Sequence, residues 1–297
     1  MDPLILVDNL ESFHELMREL RDARFVALDT ESNSFHAYYE RICLIQISVS
    51  GKDYVIDPFM FEKEDLSPFG EILADARIEK IMHAASNDVL GLKRDYHFQI
   101  HNLFDTSTAC RLLNHRRLGL ARILEKFYDV KLDKRWQRHN WGRRPLNPRQ
   151  IEYARMDTHY LIPLRHELAL QLHKNQVWES ASKAFQKICE QESRERNFEE
   201  NGFMRLVGAR SLDPMGAGVL KELYLFRDRE ARRKDRSPFR IIPDNVLVKI
   251  AQQRPMDAQE LHDIKGFPRP YRKESHTRDI LRMIAQAKPN TRKAASR

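Results

Sequence analysis

The chain has 297 residues, 51 Lys and Arg against 43 Asp and Glu, a net charge of +8, and 32% of its residues charged. That length allows one sizeable core and a second, smaller one. The moderate positive excess hints at a polyanionic partner, and no segment approaches the roughly 20 apolar residues of a membrane span. Cys43, Cys110 and Cys189 are far apart and form no CxxC pair, which argues against a disulfide framework or zinc knuckle and fits a reducing compartment. The segment Met1 to Asp8 lacks a basic region, and its apolar run is short for a signal peptide. A cytoplasmic protein is expected.

In chain order, Asn9 to Leu20 reads as an amphipathic helix with Leu10, Phe13, Leu16, Met17 and Leu20 on one face. Phe25 to Glu31 reads as a buried strand ending in acids. Ile42 to Val49 and Asp53 to Asp57, joined by a turn at Ser50-Gly51-Lys52, complete an antiparallel meander. Helices over Glu64 to Ala74 and Ser86 to Lys93 then alternate with strands over Glu79 to His83 and Leu103 to Asp105. Another helix follows at Thr106 to Leu113, and the alternation adds parallel strands in an α/β layer.

Gly119 to Tyr128 is helical. Asn147 and Pro148 open a helix expected to run to about Lys174, bent or split by Pro163. Residues 175–210 read as a charged helical linker rather than core. Residues 211–287 show helices at Val219 to Lys234, Asp244 to Gln253, Asp257 to Ile264 and Ser275 to Ala287, a small helical bundle. The expected boundaries are therefore 1–174, 175–210, 211–287 and a disordered basic tail at 288–297.

Strand alternation puts Asp29 and Glu31 on one side and Thr30 on the other. Two such carboxylates either sit in solvent or share a hard divalent cation. Asp88 falls in the first turn of a helix after the small residues Ala84 and Ala85, where a helix N-terminus favours an acid in any case. Tyr153 and Asp157 are four apart, a spacing that shares a helical face. Asp105 is a rival acid that suits a helix cap for Thr106 onward.

Asp29-x-Glu31, the segment His83 to Asp88, and Tyr153-x-x-x-Asp157 resemble, in order and spacing, the three motifs of the DEDD exonuclease superfamily, and the tyrosine is similar to its DEDDy branch. Leu132-Asp133-Lys134, then Trp141 with Arg144-Pro145-Leu146 and Gln150, resembles the stretch typical of ribonuclease D. Leu220 to Leu223, Phe226-Arg227-Asp228, Ile250-Ala251 and Leu261 to Gly266 resemble an HRDC domain, present here once. The resemblance implies a ribonuclease H-like mixed sheet flanked by helices, followed by a small all-α bundle. It further implies 3′-5′ exoribonuclease activity on RNA with a single-stranded 3′ end, tRNA precursors among them, and no nucleotide cofactor.

By the same resemblance Asp29, Glu31, Asp88 and Asp157 bind two Mg²⁺ or Mn²⁺ ions, Tyr153 positions the attacking water, and Trp141 and Arg144 stand on the substrate side; His83 either packs or hydrogen-bonds near the terminal nucleotide. A basic stripe of Arg227, Arg229, Arg232, Arg233, Lys234, Arg236 and Arg240 is a second candidate for RNA contact. The alternatives are a DNA exonuclease of the same branch and a catalytically silent RNA-binding adaptor.

Overall fold

Two strands joined by a tight turn pair antiparallel, whereas strands separated by a crossover helix pair in parallel. Both rules operate in one sheet here. The computed structural model describes residues 3–49, 51–193 and 198–290. Its strands are β1 (Leu4–Val7), β2 (Phe25–Ser32), β3 (Ile42–Val49), β4 (Lys52–Ile56), β5 (Glu79–Met82) and β6 (Leu103–Asp105), in the order β1-β4-β3-β2-β5-β6. The meander β2-β3-β4 is antiparallel, and β5 and β6 extend it in parallel beyond β2. β1, a four-residue strand parallel to β4, has no counterpart among the expected strands. Its length leaves too few alternations to read.

The sheet is covered on both faces. Helices α1 (Leu10–Arg21), α2 (Ser67–Ala74) and α3 (Ser86–Tyr96) belong with one core that takes Val26, Leu28, Ile45 and Ile47. Asn9 caps α1 by accepting from the Ser12 amide, and Leu10 in the first turn is exposed, unlike Phe13, Leu16, Met17 and Leu20. Ala27, Ile81 and Phe104 instead meet α4 (Thr106–Leu112), α5 (Leu120–Tyr128) and later helices. Leu44 and Val55 pack with Trp141, Tyr153 and Ala154.

The helix from Pro148 is split, one of the two outcomes expected at Pro163: α6 (Pro148–Arg155) and α7 (Leu161–Lys174) are separate helices, and the break falls before Pro163. Pro163 lies in the first turn of α7, where an amide has no intrahelical acceptor to lose, so it costs little. Residues 175–190 are not linker. They form α8 (Trp178–Cys189), whose stripe Ala181, Phe185 and Ile188 is buried in the cores on the sheet. The charged residues between them occupy the outer face, which is what made the segment read as solvated.

The chain divides into two units, Met1–Phe35 with Arg41–Glu195, and His36–Glu40 with Arg196–Arg297. The second unit holds α9 (Pro214–Arg233), α10 (Pro238–Ile241), α11 (Asp244–Gln253), α12 (Ala258–Asp263) and α13 (Glu274–Gln286) around Leu220, Leu223, Leu247, Ile250, Leu261 and Ile280. From residue 291 the expected disordered tail lies outside the described residues. Among the described residues no helix is long and apolar enough to cross a membrane, and Cys43, Cys110 and Cys189 are free thiols.

The core role of α8 is testable. Phe185 is 5% exposed and its ring centroid lies 4.9 Å from that of Phe104. Phe185→Ala should destabilise the first unit by about 3–5 kcal/mol in urea denaturation, the usual cost of deleting a buried aromatic. A loss below about 0.5 kcal/mol would return the segment to linker status.

Candidate active site

The end of β2 is where side chains from both faces of the sheet can meet. Asp29 and Glu31 project on the face that carries Ala27, and in the β2–β3 register they stand opposite Gln46 and Leu44. Thr30 projects to the other face, as alternation predicts, and there its hydroxyl donates to Asp88 Oδ1 (2.5 Å). Asp88 belongs to the first turn of α3. The sharp turn from β5 into that helix passes through Ala84, at φ 58°, a left-handed conformation that a residue with a Cβ adopts at a cost.

Asp105 holds this turn in place. Its carboxylate is fully buried, accepts from the Ala85 amide (2.8 Å) and caps α4 by accepting from the Thr108 amide (2.6 Å). Thr106 adds a bond from its hydroxyl to the Met82 carbonyl (3.0 Å) and pairs with His83 Nδ1 (2.8 Å). Asp105 is thus the cap expected, with the added task of bracing the turn before Asp88.

Tyr153 and Asp157 arrive on α6 and the turn after it. The Asn147 capping box with Gln150, and Pro148 at the first position, start α6. The helix ends at Arg155, and tighter turns follow, with Met156, Asp157 and Thr158 amides each reaching back three residues. Tyr153 and Asp157 therefore approach one cleft, although a continuous helix does not connect them. That turn is pinned from below: His159 Nδ1 lies 2.7 Å from Asp53, Ser48 donates to Asp53 (2.6 Å), and Ser48 and Thr158 hydroxyls are 2.7 Å apart.

Asp29, Glu31, His83, Tyr153 and Asp157 line an open cleft of about 590 Å³, together with Thr30, Phe35, Arg111 and Arg138. The four acids act on one another. Burial, then the charges of Asp88, Asp157 and Glu31, hold Asp29 well above the usual carboxylate range. Glu31 is raised by burial and by Asp157 and Asp88. Burial lifts Asp88 to about 6 against a lowering bond from Thr30, and burial with the Asp88 charge lifts Asp157 to about 7. Burial pushes the Tyr153 phenol upward, and Asp157, Glu31 and Asp29 push it further.

Residues 4–173 match the family described as 3′-5′ exonuclease, and residues 217–284 match the HRDC domain. The chain belongs to the 3′-5′ exonuclease family. It is 32% identical to the exosome complex component 10 homolog of Caenorhabditis elegans over 96% of this chain and 33% of that protein. It is 29% identical to the exosome complex exonuclease RRP6 of Saccharomyces cerevisiae over 85% of this chain and 36% of the relative. The chain thus spans about a third of the length of these curated relatives. Among solved structures, the catalytic core of RRP6 from Trypanosoma brucei superposes with a TM-score of 0.84 at 25% identity, covering 96% of this chain and 79% of the other. Escherichia coli RNase D, described as an exoribonuclease involved in structured RNA processing, gives 0.70 at 26% identity, covering 95% and 74%. The α/β exonuclease fold followed by a helical HRDC domain is as the motifs implied.

Within this exonuclease unit, two expected substrate-side residues stand elsewhere. Trp141 is 1% exposed and stacks on Tyr153, with ring centroids 6.0 Å apart, so it supports the tyrosine from behind. Arg144 is bidentate to Asp57 (2.5 and 2.6 Å), bonds the Trp141 and Cys43 carbonyls, and lies over the Phe59 ring. Neither is among the residues that line the cleft, and both act as its foundation. His83 does line it, with burial holding its imidazole below the ordinary value. In the helical unit the expected stripe is broken up. Arg227 is buried and pairs with Asp244 (2.5 Å), while Arg233 and Lys234 both pair with Glu230 (2.9 and 2.7 Å).

Two residues had no signal in the sequence. Thr30 is a common strand residue, and Gln46 is an apolar strand's single amide. Gln46 is fully buried, stands opposite Asp29, and its amide has no hydrogen-bond partner among the described residues.

The donor set fits a hard cation in its chemistry, since all four ligands are carboxylate oxygens whose charges oppose one another. Among the described residues no three His, Cys, Asp or Glu side chains are already drawn together around one ion position. A consequence follows for stability. Asp88 and Asp157 titrate at about 6 and about 7 in the fold against 3.8 ordinarily, so they bind protons more tightly folded than unfolded. Their effect favours folding at low pH and is lost as pH rises through about 6 to 7. In EDTA, the melting temperature should fall between pH 5 and pH 8, and Asp157→Asn should flatten that slope. Millimolar Mg²⁺ should restore most of the loss at pH 8. An equal pH slope with and without Asp157 would contradict the charge coupling.

Proposed function

We propose that this chain is a 3′-5′ exoribonuclease that hydrolyses RNA from a 3′-hydroxyl end and releases 5′-mononucleotides. The observation that carries this reading is the open cleft lined by Asp29, Glu31, Asp157 and Tyr153, whose carboxylates are coupled by charge to one another and to Asp88. The overlap with RNase D and the RRP6 core supports RNA as the polymer. Asp29, Glu31, Asp88 and Asp157 would hold two divalent ions, Mg²⁺ or Mn²⁺. When bound, these would supply Lewis acidity toward the scissile phosphate and toward water.

The chain's own groups do the rest. Tyr153, raised above its ordinary value, keeps its proton and so orients the attacking water by hydrogen bonding rather than serving as a base. Trp141 fixes the plane of the Tyr153 ring from below. Phe35, 42% exposed on the cleft wall with Arg138 over its ring (5.5 Å), offers a stacking face to the terminal base. His83, anchored through Thr106, contacts the terminal nucleotide. The cleft is open, which suits a single-stranded 3′ tail on a structured RNA, and we extend the reading to tRNA precursors in the cytoplasm.

The test offers matched 3′-tailed RNA and DNA to the chain with Mg²⁺, Mn²⁺ or EDTA, and resolves the products. Mononucleotide release from RNA with either ion, and none in EDTA, is expected. Asp29→Asn and Asp157→Asn should abolish it. Tyr153→Phe should lower kcat by about 10²-fold with little change in KM, the loss of one positioned proton-bearing group. Asp105→Asn should lower the melting temperature more than kcat. Internal cleavage products, or undiminished activity in Asp157→Asn, would sink the proposal.

A further inference from the structure

The segment from Arg111 to Lys126 carries five cations, Arg111, Arg116, Arg117, Arg122 and Lys126, against one acid, Glu125. That acid is already committed to Arg122 at 2.7 Å. The segment joins α4 to α5, and it lines two adjoining clefts. Arg111, Leu118, Gly119 and Leu120 belong to the wall of the acid cleft. The residues on either side of that wall, Leu113 to Arg117 and then Arg122, Ile123, Glu125 and Lys126, line a second cleft of about 510 Å³.

The second cleft has the features of an anion site. Arg116 and Arg117 are exposed and have no ion-pair or hydrogen-bond partner among the described residues. Lys126 Nζ faces His115 Nδ1 at 3.2 Å, and burial with the Lys126 charge depresses that imidazole. Its ring stacks on Phe127 (5.8 Å), which fixes it in place. Positive groups held this close, with too few acids to neutralise them, favour a bound phosphate. Several other arginines of the unit are consumed: Arg135 by Asp133, Arg144 by Asp57 and Arg165 by Glu79. Arg116 and Arg117 are not, and they lie on the segment that also walls the acid cleft.

We infer that this second cleft binds backbone phosphates of the substrate strand on the 5′ side of the nucleotide being removed, with Arg116 and Arg117 as the principal contacts. Resting on the proposed exonuclease function, the inference names the path by which the strand reaches the acids. Such contacts carry no sequence information and set affinity and its dependence on salt. A substrate too short to span from one cleft to the other gains nothing from them.

The experiment compares the unaltered full chain with Arg116→Gln/Arg117→Gln, both exposed positions, on a dinucleotide and on a single-stranded 20-nucleotide oligoadenylate. With Mg²⁺, the variant should raise KM for the 20-mer several-fold, leaving kcat and the dinucleotide KM unchanged. Affinity for the 20-mer measured by fluorescence anisotropy in EDTA should fall likewise. Its log–log slope against salt should shrink by about 1.4, two contacts at roughly 0.7 each for a single strand. An equal KM change at both lengths, or an unchanged salt slope, would overturn the inference. If the unaltered chain hydrolyses neither substrate, the catalytic reading fails by itself, and the anisotropy arm still decides for or against the phosphate track.

Discussion

Like charges repel more strongly as water is withdrawn from them, and Asp29, Glu31, Asp88 and Asp157 are all partly withdrawn. A chain in isolation would spread such groups apart. The fold keeps them near one another because each is carried by an element that the core fixes independently: β2 in mid-sheet, α3 against one face, and the turn after α6 on the other. β3 shows how firmly the centre is held, since all eight of its residues are buried. The repulsion is tolerable because apolar burial over the whole sheet outweighs it, at about 25 cal/mol for each Å² removed from water.

The acids are also held by polar groups beneath them. Asp105 braces the turn that aims Asp88, and Asp53 braces the turn that aims Asp157. Arg144 and Asp57 secure the loop that places Trp141 behind Tyr153. In each case the supporting carboxylate is nearly or fully buried and hydrogen-bonded, which is the condition for a buried acid to be stable. The acids in the cleft have fewer such partners: Thr30 donates to Asp88, but the four carboxylates chiefly feel one another's charge. Two populations of buried carboxylate thus coexist: one neutralised by the protein, and one left for something that arrives.

Much of this was legible before any coordinates. The meander was readable because its turn is short and its strands long, and the helix at Pro148 because Asn147, Pro148 and Gln150 form a local signal that needs no tertiary help. Asp29 and Glu31 could be assigned to one side from the pleat alone, though only the motif order tied them to Asp88 and Asp157. What failed to show depended on tertiary choice. β1 is too short for periodicity, and α8 hides three buried residues among charges. The place of the α6 break, near Met156 and ahead of Pro163, goes with the Asp53 network that holds the turn after it. Trp141 and Arg144 belong to the motif stretch, yet their contacts depend on the fold: Trp141 meets Tyr153 on the next helix, and Arg144 meets Asp57, far off in sequence.

Basic residues illustrate the same point about what a sequence count can mean. An arginine's role is decided by whether a carboxylate lies within reach, and reach is a property of the fold. Arg144 and Arg227 lie in segments that read as nucleic-acid contacts and are spent on Asp57 and Asp244. Arg116 and Arg117 sit in an unremarkable turn between two helices and remain unspent. The net charge of +8 is therefore an average over paired and unpaired cations, and only the unpaired ones shape the field a phosphate would meet. In the first unit those include the pair beside the acid cleft, so attraction for a polyanion and repulsion among the acids are built into neighbouring walls of one structure. A strand drawn by the first is delivered to the second, where its terminal phosphate can enter only if cations offset the carboxylates already there.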